Sequence, residues 1–137
     1  MKITQKFFNN FLNKNYLFEN SPRVVVGVSG GPDSMCLVYL LNKWIKINKG
    51  SLIALIIDHG LRLESASEAK KIKKYLLNFN IKSKIITINK KEIIKKNMNE
   101  ARKNRFSKLF EYCIKKNSLH LFLGHHFDDN LETYLIR

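Results

Sequence analysis

An uncharged, β-branched run that leads straight into a glycine-rich turn limits the fold of this chain more than any other feature. Val24–Val28 reads Val-Val-Val-Gly-Val, and Ser29-Gly30-Gly31-Pro32-Asp33-Ser34 follows it directly. A short apolar run without alternation is typical of a strand buried on both faces, as in a parallel sheet. The apolar spacing from Ser34 to Ile47 then indicates a helix. We therefore predict a strand–turn–helix unit here.

The rest of the chain alternates between strand and helix patterns. Three further strands are predicted, at Leu52–Asp58, Lys84–Ile88 and Leu119–Gly124. This alternation predicts one α/β domain over residues 1–137, with a parallel sheet covered by helices on both faces. The final helical pattern has no stop signal, so we expect the domain to be incomplete at its C-terminus and further domains to follow.

Five helices are predicted from apolar residues at helical spacing. The first lies within residues 3–18, and the second is the helix from Ser34. The third is marked by apolar residues between 66 and 79, the fourth lies near Glu100–Lys116, and the fifth begins at about Asp128. The apolar residues that mark them are Ile3, Phe7, Phe8, Phe11 and Leu12 in the first, Ala66, Ala69, Ile72, Leu76 and Phe79 in the third, Ala101, Phe106, Leu109, Phe110 and Cys113 facing inward in the fourth, and Leu131, Leu135 and Ile136 in the fifth.

Charge and cysteine content suggest where the protein works. The chain has 25 Lys and Arg against 11 Asp and Glu, a net charge of +14. Such an excess attracts polyanions such as nucleic acid, although lysines also serve as solvated helix faces. Cys36 and Cys113 both fall on apolar helix positions, so we expect buried free thiols and a reducing compartment. No signal peptide or membrane-length apolar run is visible, and we expect a soluble, cytoplasmic protein without membrane contact.

The turn at Ser29–Ser34 carries the strongest chemical signal. Gly30 and Gly31 allow a tight turn and close backbone approach to a ligand. Backbone N–H groups and the positive end of the following helix form an anion site, to which the Ser29 and Ser34 hydroxyls can donate. Asp33 would repel bare phosphate, so its expected role is to hold Mg²⁺. The loop lacks the Gly-Lys-Ser/Thr of a Walker A motif, and the alternative is an ordinary turn.

This loop resembles the PP-loop of the ATP pyrophosphatase superfamily, whose members cleave ATP between the α and β phosphates. Three further segments are informative: Asp58-His59-Gly60-Leu61-Arg62 with Glu64-Ser65, Ala101-Arg102 with Arg105-Phe106, and Gly124-His125-His126-x-Asp128-Asp129-Asn130-x-Glu132-Thr133. They narrow the resemblance to the tRNA(Ile)-lysidine synthetases. Phe106 stands where that family has Tyr, and Asn130 where it has Gln, and neither touches the phosphate loop.

The resemblance implies a ligase that uses ATP and Mg²⁺ to join free lysine to the wobble cytidine of tRNA(Ile) with the CAU anticodon. The C2 oxygen of the cytidine is first adenylated, which releases pyrophosphate. Lysine then displaces AMP, and the product in the tRNA is lysidine. Because the domain is expected to be incomplete, we expect the fragment alone to be inactive, and a homodimer is left open. The implied ATP-binding residues are Ser29, Gly30, Gly31, Pro32, Asp33, Ser34, Asp58 and His59, and the implied catalytic residues are Asp33, Arg102, Arg105, Asp128, Asp129 and Glu132.

Other interpretations of the same residues remain. The alternatives for the whole chain are another PP-loop tRNA-modifying enzyme, such as a thiolase, or a non-catalytic ATP- or RNA-binding fragment. Arg102 and Arg105 are also compatible with a solvated basic face, and Asp128 and Asp129 with helix capping. His59, His125 and His126 lack zinc-ligand spacing. The stripe of Phe7, Phe8 and Phe11 is interpreted as packing rather than as a base-stacking platform.

Overall fold

The computed structural model describes residues 4–28, 32–58, 64–87, 98–124 and 131–135, with the side chains of 32–33, 98–106, 124 and 131–135 left out. No helix in these ranges is both long and apolar enough to cross a bilayer. The elements are α1 (Gln5–Asn15), β1 (Arg23–Val28), α2 (Pro32–Ile47), β2 (Ser51–Asp58), α3 (Ser65–Leu77), β3 (Ser83–Thr87), α4 (Met98–Lys115), β4 (His120–Gly124) and β5 (Leu131–Leu135).

The described strands form one sheet in the order β3-β2-β1-β4-β5. The first four are parallel, with Val28 of β1 opposite Ile56 of β2 and Gly27 of β1 opposite Leu123 of β4. Parallel strands require long crossovers, which the helices between them supply. The α/β class, the parallel sheet and the four predicted strands are confirmed, with ends within one residue of the prediction.

Helices cover the sheet on both faces, because successive side chains of a strand point to opposite sides. Val24, Val26 and Val28 belong to a core cluster with α1, α2 and α3, in which Trp44 is the largest fully buried side chain. Val25 belongs to a second cluster with Leu109 and Cys113 of α4. The helix α1 lies on α2 as an outer layer, where Asn13 Oδ1 accepts a hydrogen bond from Trp44 Nε1 at 3.2 Å.

The prediction of a helix from about Asp128 is wrong for Leu131–Leu135. These residues form β5, which pairs antiparallel with β4 at the edge of the sheet. A spacing of four residues, as between Leu131 and Leu135, fits the helical period and also the two-residue period of a strand. Thr133 and Tyr134 favour strands, and the free edge of β4 supplies pairing that no local pattern reveals. Asp128 and Ile136 lie outside the described residues.

Several burial predictions are also corrected. Cys113 is a buried free thiol as expected, and burial raises its pKa to about 11, whereas Cys36 is exposed. The residues that point into the core from α2 are Leu37, Val38, Leu41, Trp44 and Ile45, and Cys36 lies off that stripe. Of the phenylalanine stripe only Phe8 is buried, and Phe7 and Phe11 are exposed and stack on each other with ring centroids 6.3 Å apart. Ala66, Phe79 and Leu119 are exposed as well.

Three helices end in the same way before the strand that follows them. In α2, the Gly50 N–H donates to Ile45 O and the Lys49 N–H to Lys46 O, which is the Schellman pattern. Lys49 occupies the left-handed position with φ of 56°. The helix α3 repeats the pattern around Asn80, and α4 repeats it around Asn117. These caps turn the chain back into the sheet and fix where β2, β3 and β4 begin.

Candidate functional site

The chain reverses its direction of winding between β1 and β4. From β1 it proceeds outward through β2 to β3, and α4 then returns it to the other side of β1 as β4. The helices α2 and α3 pack on one face and α4 on the other. In open α/β sheets such a reversal leaves a crevice outside the carboxyl ends of the two central strands, where ligands bind.

The described residues that flank the predicted phosphate loop lie at this edge of the sheet. β1 ends at Val28 and α2 begins at Pro32, so the three residues between them connect the end of a central strand to a helix N-terminus. Proline suits the first helical position, because it has no N–H to satisfy. Ser34 is 2% exposed and therefore sits buried in the first turn of α2. The 16 residues of α2 give this end a positive electrostatic potential.

Asp58 lies at the same edge of the sheet, as the last residue of β2. It pairs with Thr87 of β3 and is 7% exposed, and it takes part in an interaction within the protein. A buried carboxylate needs hydrogen bonds or a cation to offset the loss of water. Because Ile56 is level with Val28, Asp58 stands just beyond the end of β1.

The first half of α4 extends toward the same edge. A Cβ atom built on Gly27 would lie 3.3 Å from Leu109 Cδ1, so Leu109 is level with the end of β1. Farther along, Ser118 Oγ donates to Arg23 O at 2.7 Å, which shows that α4 runs antiparallel to β1. Arg105 and Arg102 precede Leu109 by about one and two turns, roughly 6 and 10 Å along the axis. Their backbone therefore lies beyond the end of β1, on the α4 side.

Glu132 also reaches this edge, although in a strand rather than a helix. It pairs with Leu123 of β4, which in turn pairs with Gly27. The predicted helical spacing between Asp129 and Glu132 therefore does not hold at Glu132. Among the described residues, no group of three or more His, Cys, Asp or Glu side chains is arranged to hold a metal ion. Six predicted site residues lie outside the described ranges: Ser29, Gly30, Gly31, His59, Asp128 and Asp129.

Sequence reasoning missed a buried histidine that pairs with an exposed glutamate at the opposite edge of the sheet. His120 starts β4, and its Nε2 is 2.9 Å from Glu19 Oε1. Its Nδ1 is buried and has no hydrogen-bond partner within the described part of the chain. The ring packs against Phe18 at 4.5 Å. The sequence around His120 gave no signal that this histidine is buried. Because it lies at the start of β4, it belongs to the packing of that strand and not to the crevice.

Comparisons with known proteins agree with this geometry. The chain matches the PP-loop domain family over residues 1–137. It is 42% identical over 132 residues to a tRNA(Ile)-lysidine synthase of Wolbachia pipientis wMel, covering 95% of this chain and 30% of that protein. It is 38% identical over 120 residues to the tRNA(Ile)-lysidine synthase of Orientia tsutsugamushi strain Boryong, covering 88% of this chain and 27% of that protein.

A solved structure extends the comparison to the fold. The U34-tRNA thiolase NcsA from Methanococcus maripaludis, determined with its 4Fe-4S cluster, superimposes with a TM-score of 0.74 and 26% identity. The match covers 90% of this chain and 46% of the thiolase. The chain thus spans about 30% of the length of the Wolbachia relative and under half of the thiolase. With a whole-chain family match and a crevice at the reversal of the sheet, the chain belongs to the PP-loop domain family.

Proposed function

We propose that this chain is the ATP-binding part of a tRNA(Ile)-lysidine synthetase, which joins lysine to the wobble cytidine of tRNA(Ile) with the CAU anticodon. The observation that carries the proposal is the position of the Ser29–Ser34 loop, which connects the end of β1 to the N-terminus of α2 at the reversal of the sheet. Relatives that carry this name, at 30–42% identity, support the choice of substrate.

The ATP phosphates bind at the start of α2 in this proposal. Backbone N–H groups of Gly30 and Gly31, the hydroxyls of Ser29 and Ser34, and the end of the α2 dipole stabilise the negative charge. Asp33, the second residue of α2, would hold Mg²⁺, because hard cations prefer oxygen ligands. Asp58, which is buried at the end of β2, and His59, which follows it in the sequence, flank the nucleotide in this proposal.

In the first step, the C2 oxygen of the cytidine attacks the α-phosphorus of ATP. The bond from that phosphorus to the α,β-bridging oxygen breaks, and pyrophosphate leaves with the electron pair. Mg²⁺ supplies charge stabilisation to the leaving group. Arg102 and Arg105, on the half of α4 nearest the crevice, stabilise the charge that develops on the phosphates, since a guanidinium matches phosphate oxygens with two parallel donors.

In the second step, the side-chain amine of lysine attacks C2 of the activated base. The C2–O bond breaks and AMP leaves, while the amine loses a proton. Asp128, Asp129 and Glu132 bind the lysine ammonium and accept that proton in this proposal. The position of Glu132, next to Leu123 at the end of β4, supports its part in the same crevice.

The 137 residues bind ATP in this proposal but do not complete lysine transfer alone. The relatives that share the matched region are about three times longer, since the chain spans 27–31% of the first few. Holding the cytidine against the α-phosphate is worth several kcal/mol, roughly 7–11 for well-oriented reactants, and needs a tRNA-binding surface beyond one crevice. In this account the protein works in the cytoplasm, where both tRNA and ATP are available.

The structural likeness to a thiolase makes tRNA thiolation the second candidate function. Iron–sulfur clusters are held mainly by cysteine thiolates that converge on one site. Here Cys36 lies exposed on α2 and Cys113 buried on α4, on opposite faces of the sheet. Because the two thiols cannot converge, lysine ligation fits residues 1–137 better than cluster-dependent sulfur transfer.

The test is lysine incorporation into tRNA. Bulk tRNA is incubated with ATP, Mg²⁺ and isotope-labelled lysine, with either the 137-residue chain or the complete gene product, and the nucleosides are separated by mass spectrometry. We expect labelled lysidine with the complete gene product and background with the chain alone. A thiolated nucleoside in place of lysidine would favour the second candidate, and neither product would reject both.

A further inference from the structure

The outward face of α3 carries a row of lysines that ends at exposed aromatic rings. The helix has four lysines, Lys70, Lys71, Lys73 and Lys74, and one acidic residue, Glu68. Ala69 and Leu76 point into the core. The residues on the opposite, solvent-facing side are Ala66, Ser67, Lys70, Lys71 and Lys74.

Three rings stand together at the C-terminal end of this row of lysines. Phe79 packs against Tyr75 at 5.2 Å and against Tyr39 of α2 at 4.7 Å between ring centroids. Tyr75 is 47% and Phe79 38% exposed, so both offer ring surface to solvent. Tyr75 lies one helical turn beyond Lys71, so the lysine face and the rings form one continuous surface. We call it the α3 track: Ser67, Lys70, Lys71, Lys74, Tyr75 and Phe79.

The α3 track begins at the edge of the sheet that holds the candidate site. Asp58 ends β2 at that edge, and α3 begins at Ser65 only seven residues later. The helix then runs back along the sheet for 13 residues, about 20 Å at 1.5 Å per residue. Because α3 packs on β2 and β3, a bound chain that follows the track would leave one end near the carboxyl end of β2, the strand next to β1.

We propose that the α3 track binds a single-stranded segment of the RNA substrate, with Lys70, Lys71 and Lys74 on phosphates and Tyr75 and Phe79 stacked on an unpaired base. This rests on the proposed function for the identity of the RNA. The net charge of +14 complements an RNA backbone. A row of lysines alone would serve as a solvated face, but half-exposed rings at its end match the stacking platforms that bind single strands. A base inside a duplex has no free face to stack on.

The test separates charge from stacking in RNA binding by the 137-residue chain. Two triple variants each remove three positive charges: Lys70→Gln, Lys71→Gln, Lys74→Gln on the track, and Lys14→Gln, Lys115→Gln, Lys116→Gln as the matched control on exposed positions elsewhere. Fluorescence anisotropy measures affinity for a mixed-sequence single-stranded RNA, a CAU anticodon stem-loop and a blunt RNA duplex over a salt series.

The track variant is expected to lose single-strand affinity and to lower the slope of log affinity against log salt by about 2, at roughly 0.7 per phosphate contact. The control is expected to change that slope little. Tyr75→Leu removes a ring at similar volume and should weaken single-strand binding roughly 5- to 100-fold at an unchanged salt slope, while Tyr75→Phe retains it. Equal losses in the two triple variants, or equal binding of duplex and single strand with no effect of Tyr75→Leu, would overturn the proposal.

Two controls keep the outcome specific. Mg²⁺-ATP binding and the thermal unfolding midpoint of every variant should match the wild type, because the track lies outside the nucleotide crevice. The RNA measurement requires neither ATP nor lysine, so it stands apart from the lysidine assay. If lysidine forms but the track variants bind RNA like the wild type, only the proposed role of the α3 track is rejected. If the track binds RNA but no lysidine forms, only the proposed activity is rejected.

Discussion

Gly27 of β1 and Leu123 of β4 lie directly opposite each other, and the space between them has no room for one more carbon. A Cβ atom on Gly27 would come within 2.5 Å of Leu123 Cδ2 and 3.3 Å of Leu109 Cδ1. The two strands are those between which the sheet reverses. The absence of a side chain at Gly27 therefore lets α4 pack closely over the strands that frame the candidate site.

Gly27→Ala should destabilise the domain by about 1–3 kcal/mol, because the added methyl overpacks a buried contact. The contact atom is the end of a leucine side chain, which can move, so the Gly27→Ala, Leu123→Ala double variant should lose less than the sum of the single losses. Urea unfolding of the four proteins of this cycle measures the coupling. Strict additivity would mean that Leu123 does not limit the space at Gly27.

Gly50→Ala should be more damaging than Gly27→Ala. Here the added Cβ would lie 2.2 Å from Pro22 O and 3.0 Å from Pro22 N, which are backbone atoms that cannot rotate away. Pro22 O also accepts a hydrogen bond from the Ser51 N–H at 2.9 Å, which sets the start of β2. We expect a loss greater than about 3 kcal/mol by urea unfolding. A smaller loss than at Gly27 would contradict the backbone contact.

Lys49→Gly should stabilise the domain by about 0.5–1 kcal/mol. Lys49 holds the left-handed φ of 56° at the end of α2, a conformation that costs a β-carbon-bearing residue more than glycine. Asn117→Gly is the matched comparison at the end of α4, and its gain should be smaller, because asparagine tolerates this conformation better than lysine. Thermal and urea unfolding measure both. An equal or larger gain at Asn117 would contradict this account of the caps.

The two cysteines should differ in reactivity and in their response to alkali. At pH 8 iodoacetamide should label Cys36 in the native chain and both thiols after unfolding, because Cys113 is buried. Burial raises the pKa of Cys113 from 9.0 to about 11, so the stability it confers is complete below pH 9 and lost as pH rises through 11. The difference in unfolding free energy between wild type and Cys113→Ala should shrink over that window. A constant difference would contradict a buried, neutral thiol.

Periodicity located the first four strands and the helices between them, because each buries one face or both against a single sheet. It failed at Leu131–Leu135, where a spacing of four residues satisfies both periods and pairing with the free edge of β4 decides in favour of a strand. Cys36 was predicted to be buried because it falls at an apolar position of the α2 pattern. That pattern alone does not say which side of the helix remains uncovered. The meeting of Tyr39 with Phe79 likewise depends on how two helices lie together, which spacing within either helix does not determine.

The central claim, that the loop from β1 to α2 drives cleavage of ATP between its α and β phosphates, is tested most directly by the products of ATP. The complete gene product is incubated with labelled ATP, Mg²⁺, lysine and tRNA, and AMP, ADP, pyrophosphate and phosphate are separated. We compare Asp33→Asn with Glu111→Gln, which removes the same charge from an exposed position on α4. Replacing a carboxylate by an amide of the same shape in a surface loop or on an exposed helix face usually changes the free energy of unfolding by under about 0.5 kcal/mol. Both variants should therefore fold. The account predicts AMP and pyrophosphate from the wild type and the Glu111 variant, and neither from the Asp33 variant. ADP and phosphate as products, or undiminished pyrophosphate release by Asp33→Asn, would contradict it.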